Sequence, residues 1–195
     1  MNITKLLRLI SGTTGPPDAF SPPHAIDSQA GFAELVKRFQ GPLFGFLGRM
    51  GFGQAQAEDL AQETFLRAWQ SLGQYNAQRG AFSTWLFTIA RNLAVNERSR
   101  AANQHEVWEG PVPADMPSTE LEPDGLLSLA QEREALQRAL AQLPVADRCV
   151  LALAYMSELD LASIARIEGC TAVAVKTRLH RARHRLAEIL ENPDA

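Results

Sequence analysis

The chain of 195 residues contains only two cysteines, Cys149 and Cys170, and their spacing matches no metal site. Both lie in segments of helical periodicity, which favours buried reduced thiols, with a redox pair as the alternative. No apolar run is long enough to span a membrane. The segment from Met1 to Ile10 lacks the apolar core and small-residue cleavage site of an export signal. We therefore expect a cytoplasmic protein without membrane insertion.

Motifs of catalysis are missing from the sequence as well. It contains no Ser/His/Asp order, no metal-ligand spacing and no glycine-rich loop of the kind that cradles phosphates. His180 and His184 are four residues apart, but the glutamate and third ligand of a zinc site are absent, which favours DNA-facing histidines over a metal site. The sequence predicts no enzyme, no metal and no cofactor.

Strand-like alternation is also absent, whereas helical periodicity covers most of the chain, so we expect an all-α fold. Residues 31–100 predict four helices: one from Phe32, a second after Gly41-Pro42, a third from Ala57 to Leu72 and a fourth from about Ser83 to Arg100. Residues 127–190 predict a second helical unit. Prolines interrupt residues 1–30 and 101–126, which we interpret as a flexible extension and a flexible acidic linker between two small domains.

The charge is segregated along the chain. Its net value of −3 argues superficially against nucleic acid as a partner. Residues 101–135 hold eight acidic residues against one arginine, so that segment carries −7 and the remainder of the chain +4. Because local fields govern binding to phosphates, DNA stays a candidate partner.

Residues 160–186 predict a helix-turn-helix, the motif whose second helix enters the DNA major groove. Gly169 can supply the positive φ that ends the first helix, and Thr171 can cap the second. The expected core faces consist of Leu161, Ile164, Ala165, Val175, Leu179, Ala182 and Leu186. The expected outer face of the second helix and its flanks consist of Val173, Lys176, Thr177, His180, Arg181, Arg183 and His184, with Arg178 and Arg185 nearer the core edge. The alternative is a solvated basic helix at the end of a bundle.

Residue spacing along the fourth helix of the first unit predicts a second face that suits nucleic acid. By angular count, Thr84, Phe87, Arg91 and Arg98 point away from the core. An outward phenylalanine beside arginines suits unpaired nucleic acid, where bases stack on rings and phosphates meet guanidinium groups. The alternative, which spacing alone favours, is that Phe87 packs on a neighbouring helix. The third helix has a charged face with Asp59, Glu63 and Arg67, for which spacing predicts solvation only.

Two sequence blocks resemble a known family. Asp59 to Trp69 reads Asp-Leu-Ala-Gln-Glu-Thr-Phe-Leu-Arg-Ala-Trp, and Arg79 to Leu93 reads Arg-Gly-Ala-Phe-Ser-Thr-Trp-Leu-Phe-Thr-Ile-Ala-Arg-Asn-Leu. Both resemble region 2 of extracytoplasmic-function (ECF) sigma factors, of the sigma-70 family. Leu143-Pro144 together with Val175 to Arg183 is similar to region 4 of that family. The resemblance covers residues 31–100 and 127–190, in the family's order.

This resemblance implies a sigma factor that directs promoter-specific initiation in response to an envelope or stress signal. Region 2 would bind the clamp helices of RNA polymerase through Asp59, Leu60, Gln62 and Glu63. Its minus-10 contacts would be Asn76, Arg79, Phe82, Phe87 and Arg91. Region 4 would bind the polymerase flap and contact minus-35 duplex through Thr171, Val173, Lys176, Thr177, Arg178, His180, Arg181 and Arg183. The family also implies an anti-sigma factor. The alternative is a helix-turn-helix regulator that binds DNA without polymerase.

Overall fold

The computed structural model describes residues 29–104, 123–156 and 159–192, and within these residues it is helical with no strand. The elements are α1 (Gln29–Arg49), α2 (Gln54–Gln70), a 3₁₀ turn (Leu72–Gln74), α3 (Phe82–Gln104), α4 (Pro123–Gln142), α5 (Val145–Met156), α6 (Leu161–Glu168) and α7 (Ala172–Glu191). The expected all-α fold is thus confirmed. Residues 1–28 and 105–122, which make up most of the expected extension and linker, lie outside the described residues.

The helix α1 corrects the expected break at Gly41-Pro42, because it continues through both residues to Arg49. Proline removes one backbone donor and crowds the preceding turn, which normally ends a helix. Here the buried stripe on both sides of the proline is unbroken, and it consists of Leu35, Phe39, Leu43, Phe46 and Leu47. Burial of these five large side chains against the rest of the domain outweighs the local cost of the proline.

The first domain consists of α1, α2 and α3, and its core is aromatic. The rings of Phe46 and Phe87 meet edge to face at 5.8 Å, and those of Phe39 and Phe82 lie 5.6 Å apart. Small side chains of α2, such as Ala57 and Ala61, are buried and let α2 approach its neighbours closely.

Burial along α3 contradicts the angular count that pointed Thr84, Phe87, Arg91 and Arg98 away from the core, and it confirms the alternative that spacing favoured, in which Phe87 packs on a neighbouring helix. Phe87 is 0% exposed and Thr84 is buried, whereas Arg91 and Arg98 are half-buried. The physical reason is that α3 is covered on two sides, by α1 and α2 on one and by α6 of the second domain on the other. An angular count with a single core face cannot describe such a helix.

The second domain consists of α4 to α7, packed around apolar side chains of all four helices. The predicted core stripe of α7 is confirmed: Val175, Leu179, Ala182 and Leu186 are buried. In α6, Ile164 and Ala165 are buried as expected, but the prediction for Leu161 is wrong, since this residue is 39% exposed at the first position of the helix.

The two domains pack directly against each other. Helix α1 contacts α5, and α3 contacts α6, so that the buried side chains of both domains form one continuous core. A hydrogen bond crosses the junction, from Arg148 Nη1 on α5 to the carbonyl of Met50 after α1, at 3.0 Å. The two predicted helical units are therefore present, and they form a closed arrangement.

Candidate nucleic-acid interface

Local signals determine the geometry of the helix-turn-helix. Gly169 ends α6 with φ +63°, and the next residue, Cys170, donates its backbone N–H to the carbonyl of Ala165 at 3.0 Å. Thr171 caps α7, because its hydroxyl oxygen accepts the backbone N–H of Ala174 at 3.2 Å. Both predictions made for the turn are confirmed.

Helix α6 has a cap that sequence reasoning missed. Asp160 Oδ1 accepts the backbone N–H of Ser163 at 2.7 Å. This hydrogen bond, made by the charged form of the carboxylate, lowers the pKa of Asp160 below its ordinary value. The signal was an aspartate immediately before an apolar helical pattern, a preferred N-cap residue.

The outer face of α7 projects into solvent. Val173 is 74% exposed, and the other exposed side chains of this face are Lys176, Thr177, His180, Arg181 and His184. The rings of His180 and His184 lie 4.7 Å apart. Apart from Arg183, which is half-buried, the positions predicted for this face are confirmed, and they place polar and basic groups around one exposed valine at the start of the helix.

Other basic side chains of α7 are held by the protein itself. Arg183 lies over the ring of Tyr155, with its guanidinium carbon 5.3 Å from the ring centroid. Arg185 donates to Asp147 on α5, and Arg178 donates to Glu168 on α6. These side chains are therefore less available to DNA than Lys176 and Arg181.

The loop before α3 is closed by short-range hydrogen bonds. The side-chain oxygen of Asn76 accepts the backbone N–H of Gln78 at 2.8 Å, and its carbonyl accepts that of Arg79 at 2.9 Å. Asn76 and Arg79 are exposed, in agreement with a binding role. The Tyr75 hydroxyl donates to the carbonyl of Gly80 at 3.3 Å, and burial raises the pKa of this tyrosine.

An aromatic cluster supports this loop from below. The rings of Tyr75, Phe82 and Trp85 lie 5.4 to 5.5 Å from one another. Phe82 is only 2% exposed, whereas Tyr75 and Trp85 are half-buried. In this conformation neither Phe82 nor Phe87 offers a ring to a ligand, because both belong to the core. The ring of Trp85, which is only half-buried, is more available to a ligand.

The exposed face of α2 combines acidic and apolar groups. Asp59 and Gln62 are exposed, while Leu60 and Glu63 are half-buried. Glu63 accepts from Arg67 at 2.6 Å. Two large apolar side chains, Leu66 and Trp69, are also exposed on α2, and sequence reasoning gave them no role. Exposed apolar groups rimmed by polar ones are typical of a protein-binding surface.

Arg91 and Arg178, expected to contact different parts of a promoter, meet at one carboxylate. Glu168, whose side chain is 1% exposed, accepts Arg91 Nε on Oε1 and Arg178 Nη1 on Oε2, each at 3.1 Å. Cys149 Sγ lies 3.3 Å from the same Oε1. Burial and the neighbouring carboxylate raise the pKa of Cys149 well above its ordinary value. No sequence signal pointed to Glu168, since the cluster joins residues far apart in the chain.

Within the described ranges, no helix has the length and apolar character needed to cross a membrane. The same residues contain no group of three or more histidine, cysteine, aspartate or glutamate side chains arranged to hold a metal ion.

Comparison with known proteins identifies both domains. Residues 35–104 match the family Sigma-70 region 2, and residues 133–186 match Sigma-70, region 4. The ECF RNA polymerase sigma factor RpoE of Cereibacter sphaeroides is 31% identical over 164 residues, covering 82% of this chain and 86% of that protein. The ECF RNA polymerase sigma factor SigW of Bacillus subtilis is 30% identical, covering 84% of this chain and 91% of that protein.

A solved structure resembles both domains together. It is the sigma factor RpoE in complex with the anti-sigma factor NepR from Bartonella quintana, which is 26% identical, with a TM-score of 0.64 and coverage of 84% of this chain and 98% of that chain. The two family matches, their order along the chain and the identity to these relatives lead to one assignment. The chain belongs to the ECF sigma factors of the sigma-70 family.

Proposed function

We propose that this sigma factor binds core RNA polymerase through α2, holds the melted minus-10 strand with the first domain and contacts minus-35 duplex with the second. The domains assigned to these tasks are residues 31–100 and 127–190. The observation that carries the proposal is the exposed outer face of α7, set by the Gly169 turn and the Thr171 cap. A helix presented in this way fits the major groove.

The polymerase-binding surface is the outer face of α2. Asp59 and Gln62 supply exposed polar groups, and Leu66 and Trp69 add apolar area that binding would bury. Trp69 is braced by Phe32 of α1, whose ring lies 5.0 Å away edge to face. A braced aromatic loses little side-chain entropy on binding, which is a property of interface hot spots.

Capture of the minus-10 strand is assigned to the loop from Asn76 to Arg79 and to the aromatic cluster below it. The exposed Arg79 would meet a phosphate, and Trp85 and Tyr75 would stack against an extruded base. Such contacts offset the cost of unpairing, which is a few kcal/mol. Phe82 has a supporting role in this scheme, because its buried ring packs against both Tyr75 and Trp85.

Duplex minus-35 DNA would lie along the outer face of α7. Val173 and Thr177 are placed for the base edges, and Lys176, His180 and Arg181 are placed for base or phosphate contacts. Thr171 caps the N-terminus of α7, where the free backbone N–H groups of the helix attract a phosphate. Arg178 and Arg183 would join only after leaving Glu168 and Tyr155.

The partners of this chain are core RNA polymerase, promoter DNA and an anti-sigma factor. The last is supported by the likeness to a sigma factor solved with its anti-sigma factor. We place the protein in the bacterial cytoplasm, where it would act as a transcription factor without catalytic groups of its own, under the control of an envelope or stress signal.

Run-off transcription on genomic fragments tests this function. The wild-type chain mixed with core polymerase should give discrete transcripts, and a gel shift should show much tighter promoter binding with polymerase than without it. Equal binding in both cases would favour the polymerase-independent regulator. Asp59→Ala should weaken polymerase binding, and Glu34→Ala, which removes an exposed carboxylate from α1, is the matched control.

A further inference from the structure

The junction between the two domains is organised around the buried carboxylate of Glu168. Its two oxygens accept arginines from different domains, Arg91 on α3 and Arg178 on α7, each at 3.1 Å. A carboxylate that is 1% exposed requires such partners, because an unpaired buried charge is strongly unfavourable. Because Arg91 belongs to the first domain, the Glu168 carboxylate keeps both of its partners only while the two domains are closed.

The family resemblance implies that both arginines contact the promoter, Arg91 at the minus-10 strand and Arg178 at the minus-35 duplex. While they are paired with Glu168, each guanidinium has one nitrogen bound to the carboxylate and its charge partly neutralised, so both are weaker partners for a phosphate. Burial alone would lower the pKa of Arg91, but the hydrogen bond and charge of Glu168 outweigh it and raise that pKa, which is a sign of a tight pair.

The same closure brings α6 onto the strand-binding side of the first domain. A Cβ atom placed on Gly80 would lie 3.1 Å from Nη1 of Arg166 on α6. Gly80 directly follows Arg79, the last residue of the loop that is assigned to the melted strand. Together with the contact between α3 and α6, this places the second domain over part of the proposed minus-10 surface.

The closed junction also contains an unfavourable element. Arg98 and Arg148 both donate to the carbonyl of Met50, at 3.0 Å each. Burial and the nearby charge of Arg98 lower the pKa of Arg148 to about 10. The two cations repel each other, although both are held by the Met50 carbonyl.

We propose that Glu168 is an intramolecular latch that keeps the free sigma factor closed and unable to use Arg91 and Arg178 for promoter binding. DNA phosphates compete with the carboxylate for both guanidinium groups, so that engagement on polymerase opens the latch. This inference rests on the proposed function, because it takes its two arginines from the proposed promoter contacts.

Glu168→Gln tests the latch, since it keeps the shape of the side chain and removes its charge. The variant should show a larger radius of gyration in small-angle X-ray scattering, with unchanged helicity by circular dichroism. Without polymerase, it should bind a minus-35 duplex about tenfold more tightly, because a larger fraction of the chain is competent to bind. The duplex is taken from a promoter that the wild-type chain selects in run-off transcription.

Two further variants separate the latch from simpler explanations. Arg91→Ala breaks the link between the domains, so it should increase the radius of gyration as much as Glu168→Gln does. It should raise the duplex affinity less than Glu168→Gln, because Glu168 stays paired with Arg178. Glu188→Gln makes the same charge change at an exposed position of α7 and should leave both quantities near the wild-type values.

The latch is wrong if the radius of gyration stays at the wild-type value in both junction variants, or if Glu168→Gln gains no more affinity than Glu188→Gln. Should Glu168→Gln lose helicity, Arg91→Ala alone decides the matter through its radius of gyration. Failure of the proposed function is distinct, because the wild-type chain would then give no transcripts with core polymerase.

Discussion

Helices α7 and α3 were both expected to present a nucleic-acid face, but the expected face is exposed only in α7. In α7 the expected stripe from Val175 to Leu186 is buried and the opposite face is exposed. In α3 the expected outward residue Phe87 is fully buried. The difference lies in the number of neighbours, since α3 lies between the two domains while the outer face of α7 is left open.

The comparison teaches that periodicity reveals a face only where a helix packs on one side. For α7, the residues that hydrophobic spacing assigns to the core are the residues that are buried. For α3, the second cover comes from α6, nearly eighty residues further along the chain. Spacing already favoured a Phe87 packed on a neighbouring helix, but nothing within α3 indicates which helices cover its faces.

Phe87→Ala is expected to have the largest effect and tests this comparison directly. As a core residue packed on Phe46, Phe87 should contribute about 3–5 kcal/mol to the free energy of unfolding. Val173→Ala, on the open face of α7, should change it by less than about 0.5 kcal/mol. Urea denaturation of both variants measures these values. A small effect at Phe87 would favour the strand-facing role that the family resemblance implies for this residue.

Local signals explain the part of the fold that could be predicted. Gly169 ends α6 in the left-handed conformation, Thr171 caps α7, and the apolar stripe of α7 is buried. Signals within about twenty residues therefore determine the helix-turn-helix. The family resemblance pointed to Asn76 and Arg79, and both are exposed.

Tertiary contacts explain what could not be predicted. Helix α1 continues through Pro42 because apolar burial on both sides outweighs a local breaker. The Glu168 cluster joins α3, α6 and α7, and its partners are separated by as many as 77 residues. Hydrophobic spacing contains no information about such a polar junction between domains.

Arg181→Ala should have the next largest effect, on binding to DNA. This arginine is exposed on α7, and loss of one phosphate contact should weaken minus-35 binding about tenfold and reduce the salt slope by about 1. Arg138→Ala, an exposed arginine of α4 in the same domain, is the control for net charge. Titrations at several salt concentrations measure both slopes. Equal slopes in the two variants would place Arg181 outside the phosphate contacts.

Two glycines should respond to alanine with opposite signs. Gly169 has φ +63°, a conformation that costs an alanine about 1 kcal/mol, so Gly169→Ala should destabilise the chain. Gly73 lies in the 3₁₀ turn after α2, with nothing within 4 Å of an added Cβ and no positive φ, so Gly73→Ala should stabilise the chain by about 0.5 kcal/mol. The urea midpoints of the two variants give the sign of each change. Destabilisation by Gly73→Ala would mean that the turn needs the conformational freedom of glycine even without a positive φ.

Asp160 should give the smallest effect, visible only in its dependence on pH. Its pKa is lower in the folded chain than in the unfolded one, because the carboxylate accepts the Ser163 N–H. The resulting stability is present above the unfolded pKa and is lost as pH falls through the folded value. Asp160→Asn keeps the cap but cannot titrate. Relative to wild type, it should therefore gain a few tenths of a kcal/mol between about pH 5 and pH 3, a small increment because the group is exposed and screened. Denaturation at the two pH values measures this difference, and no change would show that the cap of α6 acts through geometry alone, as the uncharged Thr171 does for α7.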